Sequence, residues 1–135
     1  MGKILGVDLG EVRTGLAITD QLKIIASPYK TLKPKNTKSL INTLNEIVKA
    51  EEVEKIIVGL PLGTSGQDTE RTKATRKFIT RLKKSSAVPI EIVDERYSSD
   101  EAKELLIKQG IKTGHSKEMI DKTAAAIILR RYLDG

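Results

Sequence analysis

The first apolar run, Ile4-Leu5-Gly6-Val7, closes on Asp8-Leu9-Gly10, and a second run, Leu16-Ala17-Ile18, follows a short polar turn that ends at Gly15. Two short apolar runs around a glycine-bearing turn predict a β-hairpin that presents Asp8 at the rim of a sheet. Gly10 and Gly15 supply either positive φ or close backbone approach around the bend. A third strand is expected between Lys23 and Leu32, at an edge, because Pro28 lacks the amide that a central strand would use. From Asn36 to Ala50 the apolar residues Leu40, Ile41, Leu44, Ile47 and Val48 recur at spacings of three and four, the pattern of a one-faced helix. Pro34 and Asn36 or Thr37 mark its start.

Lys55 to Pro61 holds the unbroken run Ile56-Ile57-Val58-Gly59-Leu60, suited to a strand buried on both faces. A second helix is expected from about Asp68 to Lys84, with Ala74, Phe78, Ile79 and Leu82 as its core stripe. Pro89 to Asp94 reads as a fifth strand. Ser98-Ser99-Asp100-Glu101 fits a capping box that opens a helix through Gln109, with Gly110 as its stop, and Ser116 caps a final helix to about Leu133. The order βββαβαβαα predicts an α/β fold: a five-stranded mixed sheet, with an antiparallel meander of the first three strands, parallel fourth and fifth strands, and helices on both faces. A chain of 135 residues suits one domain spanning 1–135.

Composition narrows the chemistry. The sequence has no cysteine, so disulfides and thiolate metal sites are excluded, and oxygen ligands must hold any metal ion. No signal-peptide pattern and no apolar segment of bilayer length occurs, and a cytoplasmic location is expected. Lys and Arg outnumber Asp and Glu by 24 to 18, a net charge of +6 that favours a polyanionic partner such as nucleic acid.

Against this background three acidic positions stand out. Asp8 lies inside a core-type run, where a carboxylate needs turn amides, a proton or a metal ion. Asp94-Glu95 falls where the fifth strand stops, a usual place for sites in open α/β sheets, although either acid also suits a salt bridge to Arg96 or a helix cap. Asp121 shares its helical face with Ala124, Ala125 and Ile128 and so is carried inward, with no cation on its own stripe. If Asp8, Glu95 and Asp121 converge, their repulsion calls for divalent cations, and an oxygen-only set selects Mg²⁺ or Mn²⁺. Metal-bound carboxylate clusters of this kind serve phosphodiester hydrolysis. Arg13 and Arg96 near the same rim suit either phosphate binding or charge balance. The loop Gly63-Thr64-Ser65-Gly66 could hold a phosphate before a helix. Arg71, Lys73, Arg76, Lys77, Arg81, Lys83 and Lys84 give the second helix a basic exterior, either a track for a nucleic-acid backbone or a solvated face. His115 reads as a loop or phosphate contact rather than a metal ligand.

Four ordered motifs spread over the whole chain resemble the YqgF/RuvX family: Gly6-x-Asp8-x-Gly10-x-x-Arg13-x-Gly15-x-Ala17; Ile57-Val58-Gly59-Leu60-Pro61-Leu62 with Gly66; Asp94-Glu95-Arg96-Tyr97-Ser98-Ser99; and Asp121-x-x-Ala124-Ala125-x-x-Ile128-Leu129. Tyr97-Ser98-Ser99 departs mildly from the commoner Leu/Phe/Tyr-Thr-Thr. The resemblance implies an RNase H-like fold and a cytoplasmic, Mg²⁺- or Mn²⁺-dependent nuclease for 5′ maturation of precursor 16S rRNA, with Asp8, Glu95 and Asp121 as the acidic catalytic and metal-binding residues. On this reading Gly10, Arg13, Gly63, Ser65, Gly66, Arg71 and Arg96 border the substrate, a structured RNA, and the protein acts as a monomer or homodimer. Cleavage of Holliday junctions is the alternative implied by likeness to RuvC-type resolvases. A non-catalytic RNA-binding module and an ATP-binding, actin-like fragment are further alternatives, the latter disfavoured because such proteins close two domains around the nucleotide.

Overall fold

A computed structural model describes residues 2–110 and 117–135. The hairpin consists of β1 (Lys3–Leu9) and β2 (Thr14–Thr19), paired antiparallel with Asp8 opposite Gly15. Asp20 ties the following turn by accepting hydrogen bonds from the amides of Leu22, Ile24 and Ile25. The chain then enters β3 (Ala26–Leu32), the edge strand, where Pro28 sits opposite Ala17 beside a slip in register. Helix α1 (Thr37–Ala50) starts at Asn36, whose side chain accepts from the Ser39 amide at 2.8 Å, and it buries Leu40, Ile41, Leu44, Ile47 and Val48 as the spacing predicts. β4 (Val53–Leu60) lies parallel to β1, and β5 (Ile90–Asp94) parallel to β4. The sheet order is β3-β2-β1-β4-β5, the expected five-stranded mixed sheet.

Side chains alternate across the sheet, and the two faces are packed differently. Leu5, Val7, Leu16, Ile56 and Val58 meet α1 and α2 (Glu70–Ser85) in a cluster completed by Leu44, Phe78, Ile79 and Leu82. The opposite face receives α4 (Lys117–Asp134), whose Ala125, Ile128 and Leu129 press on Ile4, Ala17 and Ile57. α3 (Ser98–Lys108) packs on α4, Ala102 and Leu106 against Ile120 and Ala124. Helix α4 is therefore covered on two sides, and its buried residues run nearly all round it. Among the described residues no helix is long and apolar enough to cross a membrane.

Two local expectations are corrected. On α2, Ala74 is exposed, and Thr72 and Thr75 take its place on the buried stripe with Phe78, Ile79 and Leu82. Thr72 is drawn in because its hydroxyl donates to the Pro61 carbonyl at 2.5 Å and closes a capping box with Thr69. The Ser98–Glu101 capping box does not form. Tyr97, in the left-handed region, occupies the N-cap position of α3, and Glu101 is taken by Arg131 at 2.7 Å instead. Gly110 has the positive φ of a helix stop, whereas His115 and the Ser116 cap lie outside the described residues.

Candidate functional site

The α4 face of the sheet is cut back by glycine. A side chain at Gly6 in β1 would meet Leu129 Cβ at 3.1 Å, one at Gly59 in β4 would meet Ile128 Cδ1 at 2.6 Å, and one at Gly15 in β2 would overlap the carbonyl of Asp121. Gly6 and Gly15 let the helix backbone lie almost on the strands, and Gly59 makes room for the Ile128 side chain. Neither Gly10 nor Gly15 has positive φ, so close approach is what both positions need: a Cβ at Gly10 would collide with the Arg13 carbonyl across the turn. By alternation along β1, Asp8 points to the same side as Gly6, and seating α4 on Gly15 brings the start of the helix, with Asp121, towards it.

Glu95 reaches this place from the other end of the sheet. It follows β5 directly, its amide donates to the Leu60 carbonyl at 3.2 Å, and its Cβ and Cδ occupy the space left by Gly59. Gly59 interrupts an apolar strand run, a pattern that by itself signals a close approach at this position. Oε1 of Glu95 is buried and accepts no hydrogen bond among the described residues. Its neighbour is the carboxyl of Asp8, and two carboxyl groups bond to each other only by sharing a proton. Burial, then the charge of Asp8, push the Glu95 carboxyl up to about 10. Asp8 is also raised, chiefly by burial, with the Asp121 charge adding and the Glu95 hydrogen bond and Arg71 opposing.

The arginines divide the site into a core and a rim. Arg13 Nε donates to Asp121 Oδ2 at 2.6 Å, a pair made across 108 residues, and it supplies the cation that Asp121 lacks on its own helix. Arg71, unlike the exposed basic residues further along α2, turns inward, donates to the Leu9 carbonyl at 2.6 Å and places its charge near both Asp8 and Glu95. Arg131, which sequence analysis did not single out, donates to the Asp94 carbonyl at 2.9 Å and opposes the upward shift of Glu95. Arg96 faces outward and is engaged by Asp94, whose Oδ2 accepts from Nε at 2.8 Å, so Asp94 and Glu95 diverge. Asp94 itself is held below the usual carboxylate range: burial opposes the shift, and hydrogen bonds from the Arg96 amide and guanidinium outweigh it.

In the loop before α2 the Gly63 amide donates to the Gln67 carbonyl, the Ser65 amide to Gln67 Oε1 and the Gly66 amide to the Gly63 carbonyl. Those three amides serve the turn itself. The Arg96 guanidinium lies over the loop and donates to the Thr64 carbonyl at 3.3 Å. The candidates therefore fall into two neighbouring groups. Asp8, Glu95, Asp121, Arg13 and Arg71 lie around the rim of β1, and Arg96, Gly63, Ser65 and Gly66 lie beyond the end of β5.

Among the described residues no group of three or more acidic or histidine side chains is drawn together tightly enough to hold a metal ion. The tight unit is the Asp8–Glu95 pair, and Asp121 stands next to it on the Arg13 side. A buried carboxylate oxygen without a donor, beside a second carboxyl, is nonetheless a fitting cradle for a hard divalent cation. Cation binding would replace the shared proton.

Comparison with known proteins covers the chain nearly end to end. The family model described as "RuvX: Holliday junction resolvase" matches residues 2–135. A protein of Maridesulfovibrio salexigens named "Putative pre-16S rRNA nuclease" is 39% identical over 131 residues, 97% of each chain. One of the same name from Endomicrobium trichonymphae is 39% identical over 135 residues, 99% of this chain and 96% of that one. Among solved structures, T. thermophilus RuvC in complex with a Holliday junction substrate superposes with a TM-score of 0.61 at 14% identity, covering 97% of this chain and 93% of that one. Fowlpox virus resolvase with Holliday junction DNA gives a TM-score of 0.61 at 13% identity, over 98% and 97%. At such identity these two likenesses establish the fold, which is RNase H-like.

Proposed function

Because this chain belongs to the RuvX family, we propose that it is a nuclease of one domain, residues 1–135, that hydrolyses phosphodiester bonds with a divalent metal ion and matures the 5′ end of precursor 16S rRNA. The observation that carries the chemistry is the Asp8–Glu95 pair, buried against α4 with an unpartnered carboxylate oxygen and with Asp121 beside it. The names of the relatives at 39% identity carry the choice of RNA.

In this reading Asp8 and Glu95 would hold Mg²⁺ or Mn²⁺, joined by Asp121 once Arg13 releases it. Such an ion would supply positive charge to activate a water and to stabilise the oxygen that leaves. The chain's own groups do the rest. Asp8 and Glu95 give up their shared proton on loading, which makes loading stronger as pH rises. Arg71 and Arg131 lower the repulsion that remains between the two carboxylates. Arg13, once exchanged from Asp121, and Arg96, once exchanged from Asp94 at the outer rim, offer planar donor pairs to the phosphates on either side of the cut. Gly10 keeps the bend between Asp8 and Arg13 tight, because a Cβ there would collide with the Arg13 carbonyl. The exposed lysines and arginines of α2 extend the positive field along the substrate.

A second reading, cleavage of four-way DNA junctions, is favoured by the family description. The test is to offer the protein a precursor 16S rRNA 5′ fragment and a four-way DNA junction, each with and without Mn²⁺. Metal-dependent cutting of the RNA at its 5′ extension, with the junction intact, is the expected result. Selective cutting of the junction would replace the first reading by the second, and no cutting of either would overturn both.

A further inference from the structure

Three residues other than glycine have positive φ among the described residues: Lys23, Glu52 and Tyr97. The first two have local reasons for it. Lys23 closes the β2–β3 turn, its amide donating to the Asp20 carbonyl at 3.1 Å and its ammonium pairing with Glu54 at 2.5 Å. Glu52 sits in the tight turn between α1 and β4, where its carbonyl accepts from the Lys3 amide at 3.1 Å. Tyr97, at φ 65° and ψ 8°, is the third residue of a turn closed by the Ser98 amide donating to the Glu95 carbonyl at 3.0 Å. Such a position suits glycine, and a bulky ring there is a genuine outlier.

The ring gains nothing inside the described fold that offsets this strain. Tyr97 is 58% exposed, and its hydroxyl has no hydrogen-bond partner among the described residues. The other tyrosines differ: Tyr29 donates to Glu51, and Tyr132 is joined to Lys55 and Glu91. Strain kept at a surface position that no internal contact repays points to a ligand. The surroundings indicate which kind. Tyr97 borders an open hollow of about 210 Å³ whose other walls include Pro61, Leu62, Glu95, Arg96 and Ser98. An exposed aromatic side chain thus stands in a hollow lined by Pro61 and Leu62 as well as by polar residues that include Ser99 and Asp100, one residue from a guanidinium and two from the proposed metal-binding carboxylate.

We propose that Tyr97 is a stacking platform for an unpaired nucleobase of the RNA strand next to the cut, held by the hollow that Pro61 and Leu62 help to line. The assignment rests on the nuclease reading for the identity of the strand. Stacking requires a base that is out of its helix, so the platform selects single-stranded or frayed RNA at that step. Arg96, on the same turn, takes the adjoining phosphate while Tyr97 takes the base.

The test uses a single-stranded oligoribonucleotide carrying one 2-aminopurine, titrated without metal ions so that no cleavage intervenes, against wild type, Tyr97→Phe, Tyr97→Leu and Tyr97→Gly. Wild type and Tyr97→Phe should quench the fluorophore alike. Tyr97→Leu and Tyr97→Gly should lose the quench and bind about 5- to 100-fold more weakly. Thermal melting separates binding from folding, because Tyr97→Gly relieves the positive φ and should melt no lower than wild type. Quenching that persists in Tyr97→Leu, or absence of quenching in wild type, would overturn the proposal. Metal-dependent cleavage assayed in parallel keeps the nuclease reading separate: stacking without cleavage sinks that reading alone, and cleavage without stacking sinks the platform alone.

Discussion

The two faces of the sheet solve the same burial problem by opposite means. Towards α1 and α2 the space is filled by side-chain volume: Leu5, Val7, Leu16, Ile56, Val58, Leu44, Phe78 and Leu82 are all buried there. Towards α4 the strands give up volume at Gly6, Gly15 and Gly59, and alanines on the helix do the same, so that backbone approaches backbone. Bulky packing holds helices at a distance and stabilises the fold through the area it removes from water. Glycine and alanine packing buries less apolar area but leaves the helix no room for added side-chain atoms at the contact, and it is on this face that Asp8, Glu95 and Asp121 are found. One face supplies stability, and the other supplies position.

Substitutions can break that division. The largest effect is expected at the carboxylates: Asp8→Asn, Glu95→Gln and Asp121→Asn should each lower metal-dependent RNA cleavage by about a hundredfold or more, with the circular dichroism spectrum unchanged. Full activity in any one of them removes that residue from the proposed site. Next, Leu82→Ala on the bulky face should cost about 2–5 kcal/mol in urea unfolding and leave cleavage per folded molecule intact. A parallel fall in activity would mean that the faces are not independent. Gly15→Ala should cost about 1–3 kcal/mol by overpacking, with cleavage falling further than the loss of folded protein explains, because the added methyl displaces the backbone at Asp121.

The effect that is smallest per step, one pH unit at a time, sharpens the comparison further. In the metal-free protein Glu95 stays protonated up to about 10, against an ordinary value of 4.5, and Asp8 shifts in the same direction. The folded state then binds more protons than the unfolded one, so stability is fully present below about pH 4.5 and is lost as pH rises towards 10. The slope should not exceed about 1.4 kcal/mol per pH unit for each shared proton. Thermal melts in a chelator from pH 5 to pH 9 should show this decline, and Glu95→Gln should flatten it. A wild-type profile already flat would remove the shared proton from the description.

Much of this was legible in the sequence where one side chain's character decided its place. The α1 stripe, the edge strand at Pro28, the buried β4 run and the Gly110 stop follow from local chemistry. On α2 the stripe was misplaced because Thr72 and Thr75 are buried for tertiary reasons, Thr72 through a hydrogen bond to Pro61 that no periodicity encodes. The capping box failed because Arg131, 30 residues away, claims Glu101. At the site the inward course of Asp121 could be read from Ala124, Ala125 and Ile128 on its face, but its pairing with Arg13 spans 108 residues. The amides of Gly63 and Ser65 are taken by Gln67, which folds back on them, and that of Gly66 by the Gly63 carbonyl, pairings that loop composition does not encode. Short-range pattern carried the elements, and long-range polar partners carried the details of the site.

The seating of α4 on three strand glycines also sets an order in time. Every strand precedes residue 117 in the chain, so the strands of the sheet are all synthesised before α4. Until α4 has left the ribosome, the sheet can exist with its glycine face bare, without Asp121 and without the wall that buries Glu95. The proposed site of a nascent chain is therefore incomplete until α4 docks on the glycine face.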